Sequence, residues 1–376
     1  MTTSHVTGKR SDAVLREALD LDQPIPISRE AQQVGIASIG AGAIVRACHL
    51  PVYRRAGLNL RGVYDVDQDA ATALARDFGL PRVYRTLDEL LADPAVLVVD
   101  VAIPAIAQPA VAHRAVQAGK HLLCQKPLAE DWQVACDLVQ AAQDAHVKLA
   151  VNQQMRWAGG IRAVKALLRQ ELLGQPFAAA ITVNVRTPWE NWPWLLEKRM
   201  HEVMYHSIHY LDSLRFLLGD PAWVYAHGAR FPGFPAKGET RTVIVLEYDS
   251  PADLRAVIHD EHHNQSDEQD WSATFQIEGT MGTARGTIGA LYDYPRGRTD
   301  TLAFSSQRIQ RGLWLQPTLS TRWFPDAFLG PMASLLSAML EDGEPETSGT
   351  DNLLTLRLVF DAYRSMQERC AIRLAP

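Results

Sequence analysis

Cysteine is scarce in this chain, and its few positions lie far apart. The 376 residues include four cysteines, at positions 48, 124, 136 and 370, and no Cys-x-x-Cys pair. A disulfide framework or a cysteine-based zinc site needs clustered, regularly spaced cysteines. We therefore expect reduced, mostly buried cysteines and, by default, a cytoplasmic protein.

Long apolar runs and concentrated positive charge are also missing. The longest apolar run, 95–101, is interrupted by Asp100 and followed by Pro104, so it is too short to span a bilayer. The first residues do not combine a basic head with an apolar centre, so we expect no secretory signal. The formal net charge is −6, without a concentrated basic face. Neither a membrane nor a nucleic acid is therefore an expected partner.

The pattern of predicted helices and strands changes along the chain. Residues 1–33 are predicted to be an N-terminal extension with one short helix over 12–21. Strands and helices alternate over 34–151, which is typical of a doubly wound parallel sheet. Over 152–376, strand-like segments follow one another with few helices, which predicts a large, open, mainly antiparallel sheet. We therefore predict an α/β protein with a Rossmann domain and a C-terminal α+β domain, and a homodimer or homotetramer formed through the C-terminal sheet.

A glycine turn follows the first apolar strand. Gly40 allows a tight turn, and Gly42 allows the backbone to approach a pyrophosphate at the start of a helix. The third position of the usual Gly-x-Gly-x-x-Gly motif is Val45. The second strand ends at Asp65, where a carboxylate can accept hydrogen bonds from ribose hydroxyls. This favours NAD, with NADP as the alternative; the predicted cofactor contacts in the turn are Gly40, Ala41, Gly42, Ala43 and Ile44.

The segment Cys-Gln-Lys-Pro-Leu-Ala at 124–129 resembles the glucose–fructose oxidoreductase, inositol dehydrogenase and rhizopine-catabolism (Gfo/Idh/MocA) family, in which a Glu-Lys-Pro triplet follows a core strand. The resemblance runs from about Val34 to the C-terminus. It rests on the order and spacing of several further segments, namely 118–121, Asn152, 209–212, 279–282 and 345–349.

The resemblance implies that Lys126 and His209 lie at the hydride-transfer centre. A histidine can move the hydroxyl proton near neutral pH, and an ammonium can polarise the same oxygen. Asp212, one helical turn after His209, is predicted to fix its tautomer. The chain departs from the family at Gln125, where glutamate is usual, and at Tyr205, where many members carry aspartate. Tyr205 is therefore a candidate for proton handling, and the further predicted cofactor contacts are Ile103, Pro104, Gln108, Gln125 and Lys126.

Indole rings can stack on the apolar faces of sugars, and the segment 189–194 is rich in tryptophan. A packed loop or a subunit contact explains this segment equally well. A metal site built from His206 and His209 would need further ligands, so we assign no metal. The predicted substrate contacts are Asn152, Arg156, Trp157, Trp189, Trp192 and His206.

The sequence therefore predicts an NAD(P)-dependent oxidoreductase that acts on a secondary alcohol of a sugar, cyclitol or related polyol. Two alternatives stay open. One is a non-catalytic sugar- or nucleotide-binding regulatory protein on the same fold. The other is a redox-assisted glycosidase in which NAD is regenerated.

Overall fold

The computed structural model describes Leu19, Leu21, residues 25–294 and residues 296–374. The helix predicted over 12–21 lies, apart from Leu19 and Leu21, outside the described residues. Contacts between residues divide the chain into two compact units. The first comprises Ile25–Gln154 and Pro325–Arg357, and the second comprises 155–324 and 358–374 with Leu19 and Leu21.

Residues 325–357 therefore group with the first unit, although the sequence prediction had placed them in the C-terminal domain. The reason is a short antiparallel bridge between Ala150 and Ser348. The amide of Val151 also donates a hydrogen bond to the carbonyl of Thr347 at 2.8 Å. These contacts attach the returning chain to the last strand of the first sheet.

The first unit contains a five-stranded parallel sheet in the order β2-β1-β3-β4-β5. Its strands are β1 Gly35–Ile39, β2 Asn59–Tyr64, β3 Val98–Val101, β4 His121–Cys124 and β5 Leu149–Val151. All residues of β1 and β3 are buried, as expected for strands covered on both faces. The doubly wound parallel sheet predicted from the sequence is confirmed.

Helices alternate with these strands: α1 Leu50–Arg55, α2 Gln68–Phe78, α3 Leu87–Leu91, α4 Gln108–Gln117 and α5 Trp132–Asp144. Local sequence explains their ends. Asp67 caps α2 by accepting hydrogen bonds from the amides of Asp69 and Ala70, and Gly79 ends the helix with φ 63°. The alternation analysis had missed α5 and β5.

The second unit contains an eight-stranded sheet in the order β12-β11-β10-β6-β9-β8-β7-β13. The prediction of a mainly antiparallel sheet is confirmed, but β6 and β9 pair in parallel. The sequence analysis had missed β11, β12 and β13. The strands are β6 Pro176–Asn184, β7 Trp223–Ala229, β8 Arg241–Glu247, β9 Arg255–Glu261, β10 Ser272–Gly279, β11 Gly282–Thr287, β12 Thr301–Ser306 and β13 Ile372–Arg373.

Alternate residues of the central strands are buried and solvent-accessible, so one face of this sheet packs on helices and the other faces outward. The amide of Ala226 in β7 donates to the hydroxyl of Ser365 on the covered face. The remaining helices are α6 Gly159–Arg169, α7 Pro193–Leu196, α8 Ile208–Leu218, α9 Leu329–Glu341 and α10 Gly349–Glu368, of which α9 and the start of α10 belong to the first unit.

Candidate cofactor and catalytic sites

The two glycines of the turn after β1 have different structural roles. Gly40 adopts φ 114°, and a Cβ there would lie 2.3 Å from the carbonyl oxygen of Ala102. A Cβ on Gly42 would meet no atom within 4 Å. Gly40 is therefore required by the fold itself. Gly42 borders open space at the helix start, where a phosphate fits against backbone amides.

Asp65 follows the end of β2 and reaches back to this turn. Its carboxylate accepts a hydrogen bond of 2.7 Å from the amide of Ala41 and one of 2.9 Å from the amide of Asp67. These bonds fix the orientation of the half-buried carboxylate and leave further lone pairs for ribose hydroxyls. The glycine turn and the acidic side chain are thus brought together as the sequence predicted, and they fit an adenine dinucleotide.

The loop after β4 carries Gln125 and Lys126 and is held by a buried side chain of α4. Gln108 is fully buried, and its amide nitrogen donates to the carbonyls of Gln125, Pro127 and Leu128 at 2.8 to 3.1 Å. Its amide oxygen accepts from the amide of Gln125 at 2.9 Å. Gln108 is therefore a positioning residue for the loop, a role the sequence analysis had not given it.

Lys126 is half-buried within this loop. Loss of hydration lowers the pKa of its ammonium to about 8, because an apolar environment disfavours the charged form. A lysine in this range can exchange a proton near neutral pH. Of the other predicted cofactor contacts, Ala43 and Pro104 are exposed, and Ile44 and Ile103 are half-buried.

A buried histidine that sequence analysis did not select lies behind Gln125. His49 Nδ1 is 2.6 Å from Asp100 Oδ2, and His49 Nε2 is 2.8 Å from the side-chain nitrogen of Gln125. The amide nitrogen of Asn152 lies 3.2 Å from the same Nε2 atom. Asp100 is the feature of the sequence that could have indicated this histidine, because a carboxylate inside an apolar strand requires a buried partner.

Asn152, a predicted substrate contact, follows β5 and is fully buried. Its side-chain oxygen has no hydrogen-bond partner, and neither does either polar atom of the buried side chain of Gln153. Buried polar atoms without partners are uncommon in folded proteins. These atoms at the carboxyl end of the parallel sheet are suited to contacts with a bound ligand.

In the second unit, His209 lies in the first turn of α8. His209 is 5% exposed, and the centroid of its ring lies 5.1 Å from the centroid of the Trp323 ring. Asp212, one turn further on, accepts two hydrogen bonds from the guanidinium of Arg156, at 2.7 and 2.6 Å. Arg156 is therefore engaged in a buried ion pair, and its contact with substrate stays a prediction. Whether Asp212 also fixes the tautomer of His209 stays a prediction.

A π-helical segment, Val203–Ser207, leads directly into helix α8, which carries His209. The sequence did not indicate this segment. Such segments are frequent at functional sites. Tyr205 is 8% exposed, and its ring lies edge-on to that of Trp194 at 5.4 Å. His206 is oriented toward Asp260, with 3.4 Å between His206 Nδ1 and Asp260 Oδ2.

The tryptophans predicted to contact substrate differ in accessibility. Trp189 is only 2% exposed, and its ring packs against His201 and His262 at centroid distances of 4.5 and 5.0 Å. Its ring is therefore enclosed by these side chains in this structure, and its contact with substrate stays a prediction. Trp157 is also buried and lies beneath the guanidinium of Arg162. Trp192 is half-buried and stays a candidate for stacking on the substrate.

Comparison with known proteins agrees with this division into a nucleotide-binding unit and a second unit. Residues 34–153 match a model described as "Oxidoreductase family, NAD-binding Rossmann fold", and residues 161–285 match the Gfo/Idh/MocA C-terminal domain. The chain therefore belongs to the Gfo/Idh/MocA oxidoreductase family, and the expected resemblance is confirmed. Its first unit is an NAD-binding Rossmann fold.

Curated relatives and a solved structure extend the comparison over most of the chain. D-apiose dehydrogenase of Paraburkholderia graminis is 28% identical over 90% of this chain and 89% of its own. The 1,5-anhydro-D-fructose reductase of Ensifer adhaerens is 27% identical over 85% of this chain and 92% of its own. An NAD-binding oxidoreductase from Klebsiella pneumoniae has the same fold, with a TM-score of 0.79 at 21% identity over 92% of this chain and 100% of its own.

Among the described residues, no helix combines the length and apolar character needed to cross a bilayer.

Proposed function

We propose that this chain is an NAD-dependent dehydrogenase or reductase that interconverts a secondary alcohol and a ketone on a sugar, cyclitol or related polyol. The observation that carries the proposal is the lysine loop of the NAD-binding unit. Gln108 fixes the backbone on both sides of Lys126, and desolvation brings the pKa of Lys126 to about 8. The names of the curated relatives, a sugar dehydrogenase and an anhydrosugar reductase, support the substrate class.

The cofactor would be held by the turn at Gly42, by Asp65 and by the loop at Lys126. When bound, NAD accepts or supplies the hydride. In its ammonium form, Lys126 would orient and polarise the substrate oxygen, while His209 would take up or release the hydroxyl proton. Trp192 is the proposed stacking residue for the apolar face of the substrate.

We further propose a homodimer or homotetramer formed through the outward face of the second sheet. On this face, Tyr225 of β7 and Val243 of the adjacent strand β8 are 41% and 43% exposed, and neighbouring exposed apolar side chains are suited to a protein–protein contact. The cytoplasm stays the proposed location, on the basis of the cysteine spacing alone.

The experiment is a screen of sugars and inositols with the purified chain, in which NAD and NADP reduction is followed optically. Lys126→Ala should lower turnover by at least about 100-fold, because the loss of a positioned charge that stabilises the reacting oxygen costs about that much or more. NADH binding, measured by fluorescence titration, should survive. Lys148→Ala is the matched control, because Lys148 forms an ion pair with Glu344 in the same unit.

Full turnover in Lys126→Ala would contradict the proposal. A wild-type chain that binds NADH but turns over no member of the panel would support the non-catalytic alternative. Product formation at a constant NADH concentration would support the redox-assisted glycosidase.

A further inference from the structure

Four side chains with metal-ligating atoms converge in the second unit. They are Glu202, His206, Asp260 and His262, and one ligand atom from each lies within 4.8 Å of those from the other three. The side chains of Glu202, Asp260 and His262 are fully buried, and that of His206 is 17% exposed. A buried group of two carboxylates and two imidazoles is rare without either a strict hydrogen-bond network or a cation.

Two sequence spacings place these residues together. Glu202 and His206 are four residues apart at the start of the helix that continues into α8, so their side chains lie on one helical face. Asp260 lies in β9 and His262 directly follows it, so residues two apart point to the same side of the sheet. The sequence analysis had considered His206 together with His209 for a metal site. It had not selected Asp260 and His262, because both lie more than 50 residues further along the chain, in and directly after β9.

The distances match a tetrahedral site. His262 Nε2 lies 2.9 Å from Asp260 Oδ1 and 3.6 Å from Glu202 Oε1, and His206 Nδ1 lies 3.4 Å from Asp260 Oδ2. Zinc–ligand bonds of about 2.0–2.1 Å give tetrahedral edges of about 3.3 Å. These three distances lie within about 0.4 Å of that edge length, and all four ligand atoms lie within 4.8 Å of one another, so side-chain adjustments could bring them onto one ion.

The orientation of these atoms is also informative. Asp260 Oδ1 and His262 Nε2 are close to each other, yet neither atom has a hydrogen-bond partner of acceptable geometry. Both atoms are buried, so an unsatisfied state would be costly. A cation bound by both atoms would satisfy them together.

Outer hydrogen bonds hold the ligands in place. Thr242 donates to Glu202 Oε2 at 2.6 Å, and the amide of Ser207 donates to Glu202 Oε1 at 3.0 Å. The hydroxyl of Thr187 lies 2.7 Å from His262 Nδ1, so that Nε2 is the ring nitrogen presented to the carboxylates. Bonds of this type orient the ligands in known metal sites and support their affinity.

The charges of the cluster also favour a cation. Glu202 and Asp260 bring two carboxylates together among fully buried side chains, where two like charges are costly. One divalent cation would neutralise both.

We propose that Glu202, His206, Asp260 and His262 bind one divalent transition-metal cation with the ligand preference of zinc. Mixed imidazole and carboxylate ligands suit such ions. The protein supplies four ligands, three of them fully buried, which is typical of a closed, structural site. The metal would fasten the π-helical segment that leads to His209 onto β9. No step of the proposed hydride transfer uses this metal.

The test measures metal content directly. The full chain is expressed in medium supplemented with zinc or cobalt, dialysed against metal-free buffer and analysed by mass spectrometry of the elements. We expect about one metal per chain, and the cobalt form should show the visible d–d absorption of a tetrahedral site. Asp260→Asn and His262→Gln should each lower metal affinity at least about tenfold.

His259→Gln is the matched control, because His259 neighbours Asp260 in β9 but is exposed on the opposite face of the sheet. It should retain full metal content. Should the ligand variants fail to fold, thermal unfolding of the wild-type chain decides the question. Zinc should raise its Tm relative to the chelated protein by mass action. A wild-type chain that contains less than about 0.1 metal per chain and shows no zinc-dependent Tm would overturn the proposal, and the cluster would then be a protonated ion-pair network.

Discussion

The side-chain nitrogen of Gln125 lies 2.8 Å from Nε2 of His49. Nδ1 of the same ring lies 2.6 Å from Asp100, whose carboxylate accepts, so Nδ1 is the ring atom placed to donate and Nε2 the one placed to accept from the amide. A glutamate at 125, as is usual in the family, would place a carboxylate against this acceptor. The glutamine is therefore matched to His49, and the departure from the family triplet has a structural counterpart.

Removing His49 should destabilise the first unit. In His49→Ala, the buried Asp100 carboxylate and the amides of Gln125 and Asn152 all lose a partner. Each unsatisfied buried group costs about 1–3 kcal/mol, so the free energy of unfolding should fall by about 3 kcal/mol or more. Urea denaturation measures this loss. His113→Ala, at a half-buried position of α4, should change stability by less than about 0.5 kcal/mol; equal losses in the two variants would refute the network.

The reaction should depend on pH through Lys126. Its pKa is lowered to about 8, so the ammonium form predominates below that pH and is lost above it. If the ammonium polarises the carbonyl, kcat/KM for ketone reduction should be constant below pH 8. It should fall by up to about tenfold per pH unit above it.

Lys126→Arg keeps the positive charge but does not titrate in this range. Any residual reduction by this variant should therefore be independent of pH between 7 and 9, measured with the same substrate at saturating NADH. A wild-type profile that rises through pH 8 would show that the neutral amine is the active form and would contradict the assigned role.

Substitutions of the two glycines of the first turn should have different effects, one on nucleotide affinity and the other on the stability of the fold. Gly42→Val adds a side chain where a Cβ has no neighbour within 4 Å, so Tm should stay within a few degrees while NADH affinity falls at least about tenfold. Gly40→Ala places a Cβ 2.3 Å from a backbone oxygen at φ 114°, and it should destabilise the fold by about 2 kcal/mol or more. Calorimetry and NADH fluorescence titration measure the two effects. Unchanged NADH affinity in Gly42→Val would place the phosphates elsewhere.

The fold was predictable where the sequence pattern is local. Apolar runs such as β1 indicate buried strands, and the glycine after α2 marks the end of a helix. The alternation of such segments predicts a parallel sheet. Strand β5 has only three residues, and β11 contains glycine and alanine in place of large apolar residues. Both are defined by pairing with neighbours, so local periodicity could not reveal them. The return of 325–357 to the first unit also depends on long-range contacts.

The candidate sites divide in the same way. Gly40, Gly42 and Asp65 form a motif with a fixed spacing, and the structure brings them together. His49 and the carboxylate of Asp260 act through partners far away in sequence, so only the folded chain reveals them. Trp189 shows a different limit of sequence patterns. An aromatic segment indicates a sugar site or a packed loop equally well, and the 2% exposure of this side chain favours the packed loop.

The outward face of the second sheet should mediate self-association. Val243 lies on this face in β8, pairs with His227 and His259 on the neighbouring strands, and is 43% exposed. Val243→Glu would place a charge within a buried interface, where an unpaired carboxylate is costly, and should convert the oligomer to monomers. Val134→Glu is the matched control, because Val134 is 38% exposed on α5 in the other unit and should leave the assembly intact. Sedimentation velocity of both variants and the wild-type chain measures the mass. A wild-type monomer, or an unchanged oligomer in Val243→Glu, would refute an interface at this face.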